Sequence, residues 1–125
     1  MIETVQATGA FLGMLAIIIG AFGAHALKKV LSKEQLVSFE TGVKYQMYHA
    51  LLLLLLGFNL PLKSTLEHSV IYCLILGTLL FSFSIYGLCL STAKGNKWKW
   101  LGPVTPLGGL LLVTGWSLLL YAFLE

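Results

Sequence analysis

Four long apolar segments take up most of this chain, and they limit its fold more than any other feature. They run over Ala7–Leu27, Tyr45–Leu62, Ser69–Ser91 and Leu101–Leu124, and the short stretches between them hold nearly all the charge. A helix needs roughly 20 apolar residues to cross a hydrocarbon layer about 30 Å thick, and each segment approaches or reaches that length. The pattern predicts an all-α membrane protein, a four-transmembrane-helix bundle that forms a single integral membrane domain over residues 1–125.

The composition agrees with a chain built for lipid. Hydrophobic residues make up 58% of the sequence and charged residues only 10%, whereas about 25% of residues are charged in a typical soluble domain. The connections are too short to hold a separate catalytic module. Any functional site must therefore lie between helices or at the membrane surface.

Positive charge is concentrated in two of the three connections. The first connection holds Lys28, Lys29, Lys33 and Lys44, the third holds Lys94, Lys97 and Lys99, and the second holds only Lys63. Because positive loops stay in the cytoplasm, both termini and the second connection are expected outside, in a cell (inner or plasma) membrane. The first six residues lack Lys and Arg, so the first segment is interpreted as a retained span and not as a signal peptide.

The net charge of +3 then describes a basic inner surface that faces membrane lipids with anionic headgroups. A nucleic-acid partner is not expected, because the Lys residues are divided between two membrane-bound loops.

The first connection contains a helix-start signal. Ser32–Gln35 fits the capping box, in which Ser caps a helix and Gln three residues later reaches back. Beyond it, Leu36, Phe39 and Val43 share one helical face. The sequence predicts a short amphipathic interfacial helix between helices 1 and 2, with Gly42 allowing a bend into the second span.

Small residues form a stripe along the first segment. Gly9, Gly13, Gly20 and Gly23 recur at helical spacing. In lipid, small residues let two helices approach closely, and van der Waals packing then holds them together. We expect this stripe to pack against a neighbouring helix, either within the bundle or in a homo-oligomer.

Polar and aromatic side chains gather where the first two spans approach the cytoplasmic side. They are His25, Lys28, Lys29, Glu40, Lys44, Tyr45, Gln46, Tyr48 and His49. Helical phase puts Glu40, Lys44 and Tyr48 on one face, and Tyr45 and His49 on the other side. Ionisable residues inside a membrane are functional hypotheses by default, although a His near the boundary can simply reach water. The set predicts a shallow basic site for an anionic headgroup or for a membrane-protein partner.

The sequence contains no pattern typical of metal, cofactor or nucleophile chemistry. The His residues lack metal-ligand spacing, and there is no CxxC, phosphate-binding loop or nucleophile elbow. Cys73 and Cys89 lie about 24 Å apart along one predicted helix, so they cannot form a disulfide with each other. No catalytic residue, metal ligand or cofactor is expected.

Three strings carry a family resemblance: GAFGAHAL at Gly20–Leu27, FETGVKYQMYHA at Phe39–Ala50 and TPLGG at Thr105–Gly109. On these motifs the chain resembles the bacterial YgdD/YwdK-type family of small membrane proteins, domain of unknown function 423, which is similar to eukaryotic transmembrane protein 256. The resemblance covers almost the whole chain and implies a small inner-membrane protein with four spans. It supplies no activity, and it carries over no catalytic residues.

Three classes of function are compatible with these features. They are a structural or adaptor protein that contacts lipid or a membrane partner, a small transporter or channel subunit, and a membrane-embedded enzyme. A transporter would place polar groups near the bilayer midplane, and an enzyme would need a water-accessible pocket with convergent titratable groups. The spans contain few polar groups near the midplane and few titratable groups that could converge in a pocket. Both features favour the structural or adaptor class and a protein that is not an enzyme.

Overall fold

The computed structural model describes residues 1–125 and contains four α-helices and no strand, which confirms the all-α class. The helices are α1 (Ile2–His25), α2 (Lys33–Asn59), α3 (Thr65–Ala93) and α4 (Val104–Leu124), and short 3₁₀ turns occupy Leu27–Lys29 and Lys99–Leu101. Each helix packs on the next one along the chain. Short connections impose this antiparallel arrangement, because they leave the next helix no room to start elsewhere.

The interior is formed by two apolar clusters, one toward each end of the bundle. The cluster near the chain termini draws on all four helices, including Leu12, Leu53, Leu74 and Leu112. The cluster at the opposite end consists of Leu27, Leu31, Phe39, Ile85, Tyr86 and Cys89. The basic connections lie at that second end.

The outer surface of the helices is more apolar than parts of the interior. Ile17 is 66% exposed and Leu110 is 63% exposed, whereas Gln46, Thr78 and Ser82 are fully buried. Soluble proteins show the opposite distribution, with polar residues outside. A bundle with this surface is stable when lipid tails, and not water, surround it.

Three segments are long and apolar enough to cross a membrane: α1, α3 and the stretch Lys99–Leu124 that contains α4. The predicted count of four spans is not confirmed, because α2 falls short. Its N-terminal half, Lys33–Lys44, carries four charged residues. The remaining stretch to Asn59 rises only about 22 Å, less than the hydrocarbon thickness of about 30 Å.

The predicted capping box at the start of α2 is confirmed. The Ser32 hydroxyl oxygen accepts a hydrogen bond from the Gln35 backbone N–H at 3.1 Å, and the Gln35 Oε1 accepts one from the Ser32 N–H at 2.9 Å. These two bonds satisfy donors that the first turn of a helix otherwise leaves free.

The prediction of a separate interfacial helix is wrong, because α2 continues without a break from Lys33 to Asn59. Gly42 does not bend the chain; a Cβ atom at this position would lie 2.8 Å from Cε1 of Tyr86, so Gly42 makes room for α3. Phe39 is 3% exposed and packs on Tyr86, with 5.1 Å between ring centroids. The apolar face at the start of α2 thus contacts protein.

The glycine stripe of α1 lies along α2. All four predicted positions, Gly9, Gly13, Gly20 and Gly23, have their nearest neighbours on that helix. A Cβ atom on Gly9 would lie 2.9 Å from the backbone oxygen of Ala50, and one on Gly23 would lie 2.5 Å from Cε1 of Phe39. Real Cβ atoms do not approach other atoms this closely, so the two helices meet at a distance that only glycine permits.

Side chains fix the connection between α2 and α3. Leu62 is buried with a φ of 52°, and Nε2 of His68 lies 2.8 Å from its carbonyl oxygen. Since a carbonyl only accepts, that nitrogen carries a proton and donates. A second capping box, formed by Ser64 and Glu67, starts α3.

Candidate functional site

The predicted polar set divides into a buried part and a surface part. Gln46 is fully buried and His49 is 4% exposed, while His25, Lys28, Lys29, Glu40, Lys44, Tyr45 and Tyr48 are exposed. The division follows from the phase of α2, whose one face lies against the other helices. The structure therefore does not bring the nine residues to one point.

Gln46 joins three helices. Its Nε2 donates a hydrogen bond to the carbonyl oxygen of Leu12 in α1 at 2.8 Å, and its Oε1 accepts one from the hydroxyl of Tyr86 in α3 at 2.7 Å. Both ends of the amide are thus occupied by neighbouring helices. In a region without water, such bonds fix how far each helix is shifted relative to the next.

His49 joins α2 to α4. Its Nδ1 lies 2.7 Å from the carbonyl oxygen of Tyr45, which only accepts, so this nitrogen is assigned the proton. Its Nε2 lies 3.0 Å from Nε1 of Trp116, which only donates, so Nε2 is the acceptor. The ring is therefore neutral with the proton on Nδ1. Neither nitrogen is free to bind a metal or transfer a proton unless one of these bonds is lost.

Hydroxyl groups extend the polar contacts between helices. The Ser82 hydroxyl donates to the carbonyl oxygen of Gly42 at 2.7 Å, and Ser84 is hydrogen-bonded to Thr105 across α3 and α4. Every buried side-chain nitrogen and oxygen has a hydrogen-bond partner. No three His, Cys, Asp or Glu side chains are close enough to hold a metal ion. The buried polar side chains thus all have partners, and Gln46, His49, Ser82 and Ser84 bond between helices.

A groove of about 400 Å³ lies on the surface where the end of α1 contacts the first half of α2, and we name it the α1–α2 groove. Lys28, Glu40 and Lys44 supply its charged lining. Its remaining lining consists of Gly20, Gly23, Ala24, Leu36, Phe39 and Val43. Three residues of the predicted basic site therefore meet here, and two glycines of the stripe form part of the floor. His25, Lys29, Tyr45 and Tyr48 lie on the surface outside this lining.

A second groove of about 520 Å³ lies between the start of α2 and the end of α3, and we name it the α2–α3 groove. It is lined by Glu34, Gln35, Ser38 and Thr41 of α2, Ile85, Leu88, Cys89 and Thr92 of α3, and Lys97, Lys99 and Gly102 of the following connection. The sequence alone does not predict this site, because its residues come from segments of α2 and α3 more than 40 positions apart. The only local signal is the spacing of Glu34, Ser38 and Thr41, which puts three polar side chains on one face of α2.

Tyr86 and Trp116 were also missed as partners of the polar set. Each is an aromatic residue within a long apolar segment, and such residues are typical of both lipid contact and helix packing. Only the relative position of the helices shows that Tyr86 reaches Gln46 and that Trp116 reaches His49.

An apolar exterior, a few buried polar residues with hydrogen-bond partners, and basic grooves at one end define a multi-pass helical membrane protein. A family model described as "Protein of unknown function (DUF423)" matches residues 19–109. The chain belongs to this family, which confirms the resemblance seen in the sequence motifs. The matched stretch contains all residues that line the two grooves.

Named relatives cover most of the chain. The UPF0382 membrane protein SH2409 of Staphylococcus haemolyticus is 38% identical over 90% of this chain and 88% of its own length. The UPF0382 membrane protein C1782.12c of Schizosaccharomyces pombe is 38% identical over 94% and 98%. The UPF0382 inner membrane protein YgdD of Escherichia coli is 36% identical over 86% and 79%. No solved structure matches the chain.

Proposed function

We propose that the protein is a structural or adaptor protein of the membrane, not an enzyme, and that its α1–α2 groove holds an anionic lipid headgroup. One observation carries the proposal: Lys28 and Lys44, from different parts of the chain, line one groove whose floor is apolar. Each Lys near a membrane surface contributes about 1 kcal/mol of attraction to anionic lipid.

The groove suits the two ends of an amphiphile. Its two Lys side chains exceed the single carboxylate of Glu40 by one positive charge, which complements the single negative charge of a phosphate diester. Leu36 and Val43, which are partly exposed, provide an apolar surface beside these charges, where the first part of an acyl chain would lie. Lys29 and His25 add basic groups nearby on the surface.

The buried network disfavours the alternative of a small transporter or channel subunit. A transported solute would need polar groups that line a water-filled path near the bilayer midplane. Gln46 and His49 are instead bonded to Leu12, Tyr86, Tyr45 and Trp116. The same bonds weigh against an enzyme, because the groups best suited to chemistry already have partners.

The arrangement in the membrane is part of the proposal. We place the two grooves on the cytoplasmic side of a cell or inner membrane and both termini outside, because seven of the eight Lys residues lie at the grooved end of the bundle. The inner-membrane name of the Escherichia coli relative supports this location. The second half of α2 would act as a shorter fourth span inside the bundle, and its charged first half would lie at headgroup depth.

Native mass spectrometry of the protein extracted with its own lipids tests the proposal. In Lys28→Ala/Lys44→Ala, retention of phosphatidylglycerol should fall at least about tenfold, since two direct charge-assisted contacts to the phosphate are lost. The matched control Lys29→Ala/Lys33→Ala removes the same charge at the same end but outside the groove, and should have a much smaller effect.

Equal retention of anionic lipid by both double variants would contradict the headgroup site. An acidic membrane protein, or a second copy of the chain, released only by the groove variant would show that the groove holds a protein partner instead. A stoichiometric metal in the wild type would favour the enzyme alternative.

A further inference from the structure

The α2–α3 groove is lined by both acidic and basic side chains, the acidic one from α2 and the basic ones from the connection after α3. Glu34, Ser38 and Thr41 follow one line on α2, spanning about 10 Å along the helix axis, with Glu34 in the outermost turn. Lys97 and Lys99 reach the groove from the connection that follows α3. The groove therefore offers a carboxylate at its outer end and two ammonium groups along its side.

Hydrogen bonds within the chain determine which polar atoms of the groove remain available to a ligand, and whether each one donates or accepts. The Thr41 hydroxyl already donates to the carbonyl oxygen of Val37 at 3.0 Å, so its oxygen only accepts. The Oε1 of Gln35 accepts the bond of the capping box, which leaves the amide N–H groups as donors. Donors for a phosphate and acceptors for an ammonium are thus both present.

The register of α2 and α3 sets the order of these groups with depth. The Cys89 thiol lies 3.5 Å from the carbonyl oxygen of Gln35, and the Ser82 hydroxyl donates to the carbonyl oxygen of Gly42. Ile85 therefore lies opposite the inner end of the groove, near Thr41, and Glu34 lies at the outer end. The charged groups therefore lie toward the outer end of the groove, and the apolar surface lies at its inner end.

We propose that the α2–α3 groove binds a phospholipid whose headgroup carries a primary ammonium beside the phosphate diester, as in phosphatidylethanolamine. Lys97 and Lys99 hold the phosphate, Glu34 accepts from the ammonium, and Ile85 contacts the start of the acyl chains. From water toward the membrane, this lipid likewise presents its charged groups, the ammonium and the phosphate, before its chains. The inference rests on the proposed function only in placing this end of the bundle at headgroup depth.

Two further features fit a lipid headgroup at this position. The rings of Trp98 and Trp100, next to the two Lys residues, stack with 6.4 Å between centroids and are both exposed. Exposed Trp residues are enriched at the membrane–water interface. The volume of about 520 Å³ lies within the range of small-molecule sites.

The chemistry of Glu34 distinguishes this lipid from two common alternatives. Phosphatidylglycerol has no cation to face the carboxylate, which would be left close to the phosphate. Phosphatidylcholine has the cation, but its quaternary nitrogen has no N–H to donate. Preference for a primary ammonium is therefore the property that Glu34 would confer.

Native mass spectrometry of the delipidated full-length protein, titrated with each of the three lipids, measures this preference. We expect the wild type to bind phosphatidylethanolamine at least about five-fold more tightly than phosphatidylcholine, the ratio that corresponds to about 1 kcal/mol. Glu34→Gln should remove the preference, and it should keep or strengthen the binding of phosphatidylglycerol, because a negative charge near the phosphate is lost. Lys97→Ala/Lys99→Ala should weaken the binding of both phosphatidylethanolamine and phosphatidylcholine.

Variants of the α1–α2 groove separate this inference from the proposed function. Lys28→Ala/Lys44→Ala and the matched control Glu40→Gln should leave the preference for phosphatidylethanolamine unchanged, whatever they do to phosphatidylglycerol. Equal binding of phosphatidylethanolamine and phosphatidylcholine by the wild type, or an unchanged preference in Glu34→Gln, would overturn the inference. Displacement of the lipid by free phosphoethanolamine at equal concentration would also overturn it, because the occupant would then be a soluble solute.

Discussion

The hydroxyl of Tyr86 donates a 2.7 Å hydrogen bond to the Oε1 of Gln46, between two helices and out of reach of solvent. The same amide donates to the carbonyl oxygen of Leu12 on a third helix. Buried polar atoms that lose a partner keep their desolvation penalty without its compensation. This small network therefore favours one register of α1, α2 and α3 over all others.

The coupling between these two side chains is directly measurable. Tyr86→Phe leaves the Oε1 of Gln46 without its donor and should cost about 1–3 kcal/mol. Gln46→Leu leaves the Tyr86 hydroxyl without its acceptor, so the double variant should be less destabilised than the sum of the single variants. Unfolding by titration with sodium dodecyl sulfate gives the three free energies. Additivity to within about 0.5 kcal/mol would show that the bond does not form.

Two glycines of the α1 stripe form a matched pair with opposite expectations. A Cβ atom on Gly9 would lie 2.9 Å from the backbone oxygen of Ala50, whereas one on Gly13 would lie 3.8 Å from the Cβ of the same residue. Gly9→Ala should therefore destabilise the bundle by about 1–3 kcal/mol through overpacking. Gly13→Ala should be neutral or stabilising by up to about 1 kcal/mol, because Ala favours the helix. Equal thermostability of the two variants in detergent would mean that the stripe faces lipid.

The protonation pattern of His49 is a third expected outcome. Its two ring nitrogens face a carbonyl oxygen and the indole N–H of Trp116, so the neutral ring should carry its proton on Nδ1. Nitrogen-15 spectra of the labelled protein distinguish the two tautomers by the shifts of the ring nitrogens. Trp116→Phe should move the Nε2 resonance, since it removes the only donor to that atom. A proton on Nε2 in the wild type would contradict the geometry.

The sequence predicted what depends on local chemistry. The all-α class follows from the apolar segments, and the start of α2 follows from the capping pattern of Ser32 and Gln35. The start of α3 carries the same pattern at Ser64 and Glu67, and it was overlooked.

What the sequence did not predict is which apolar face meets lipid and which meets protein. Lipid tails are as apolar as a protein core, so hydropathy alone does not separate the two. The face that contains Phe39 was therefore assigned to the headgroup layer, although it packs on Tyr86. The partners of Gln46 and His49 were missed for a related reason, because they lie on distant segments whose relative position no local pattern specifies.

The contrast between a face that meets protein and one that does not can be tested in the first turns of α2. Val37 is 63% exposed, while Phe39 is 3% exposed and packed against α3. A spin label at position 37 should respond to a lipid-soluble or a water-soluble relaxation agent, and one at position 39 should respond to neither. High accessibility of position 39 to the lipid-soluble agent would restore the interfacial helix and contradict the packing seen here.

The proposed orientation of the bundle is tested by labelling single cysteines in intact cells. Cys73 and Cys89 are the only native thiols, so both must first be replaced, for example by Ala. Glu3→Cys and Lys97→Cys then place one thiol near each end of the bundle, and both positions are exposed. Because positive loops stay inside, an impermeant maleimide should modify position 3 in intact cells and position 97 only after the cells are opened. Modification of position 97 but not of position 3 in intact cells would reverse the orientation and place both basic grooves on the outer face.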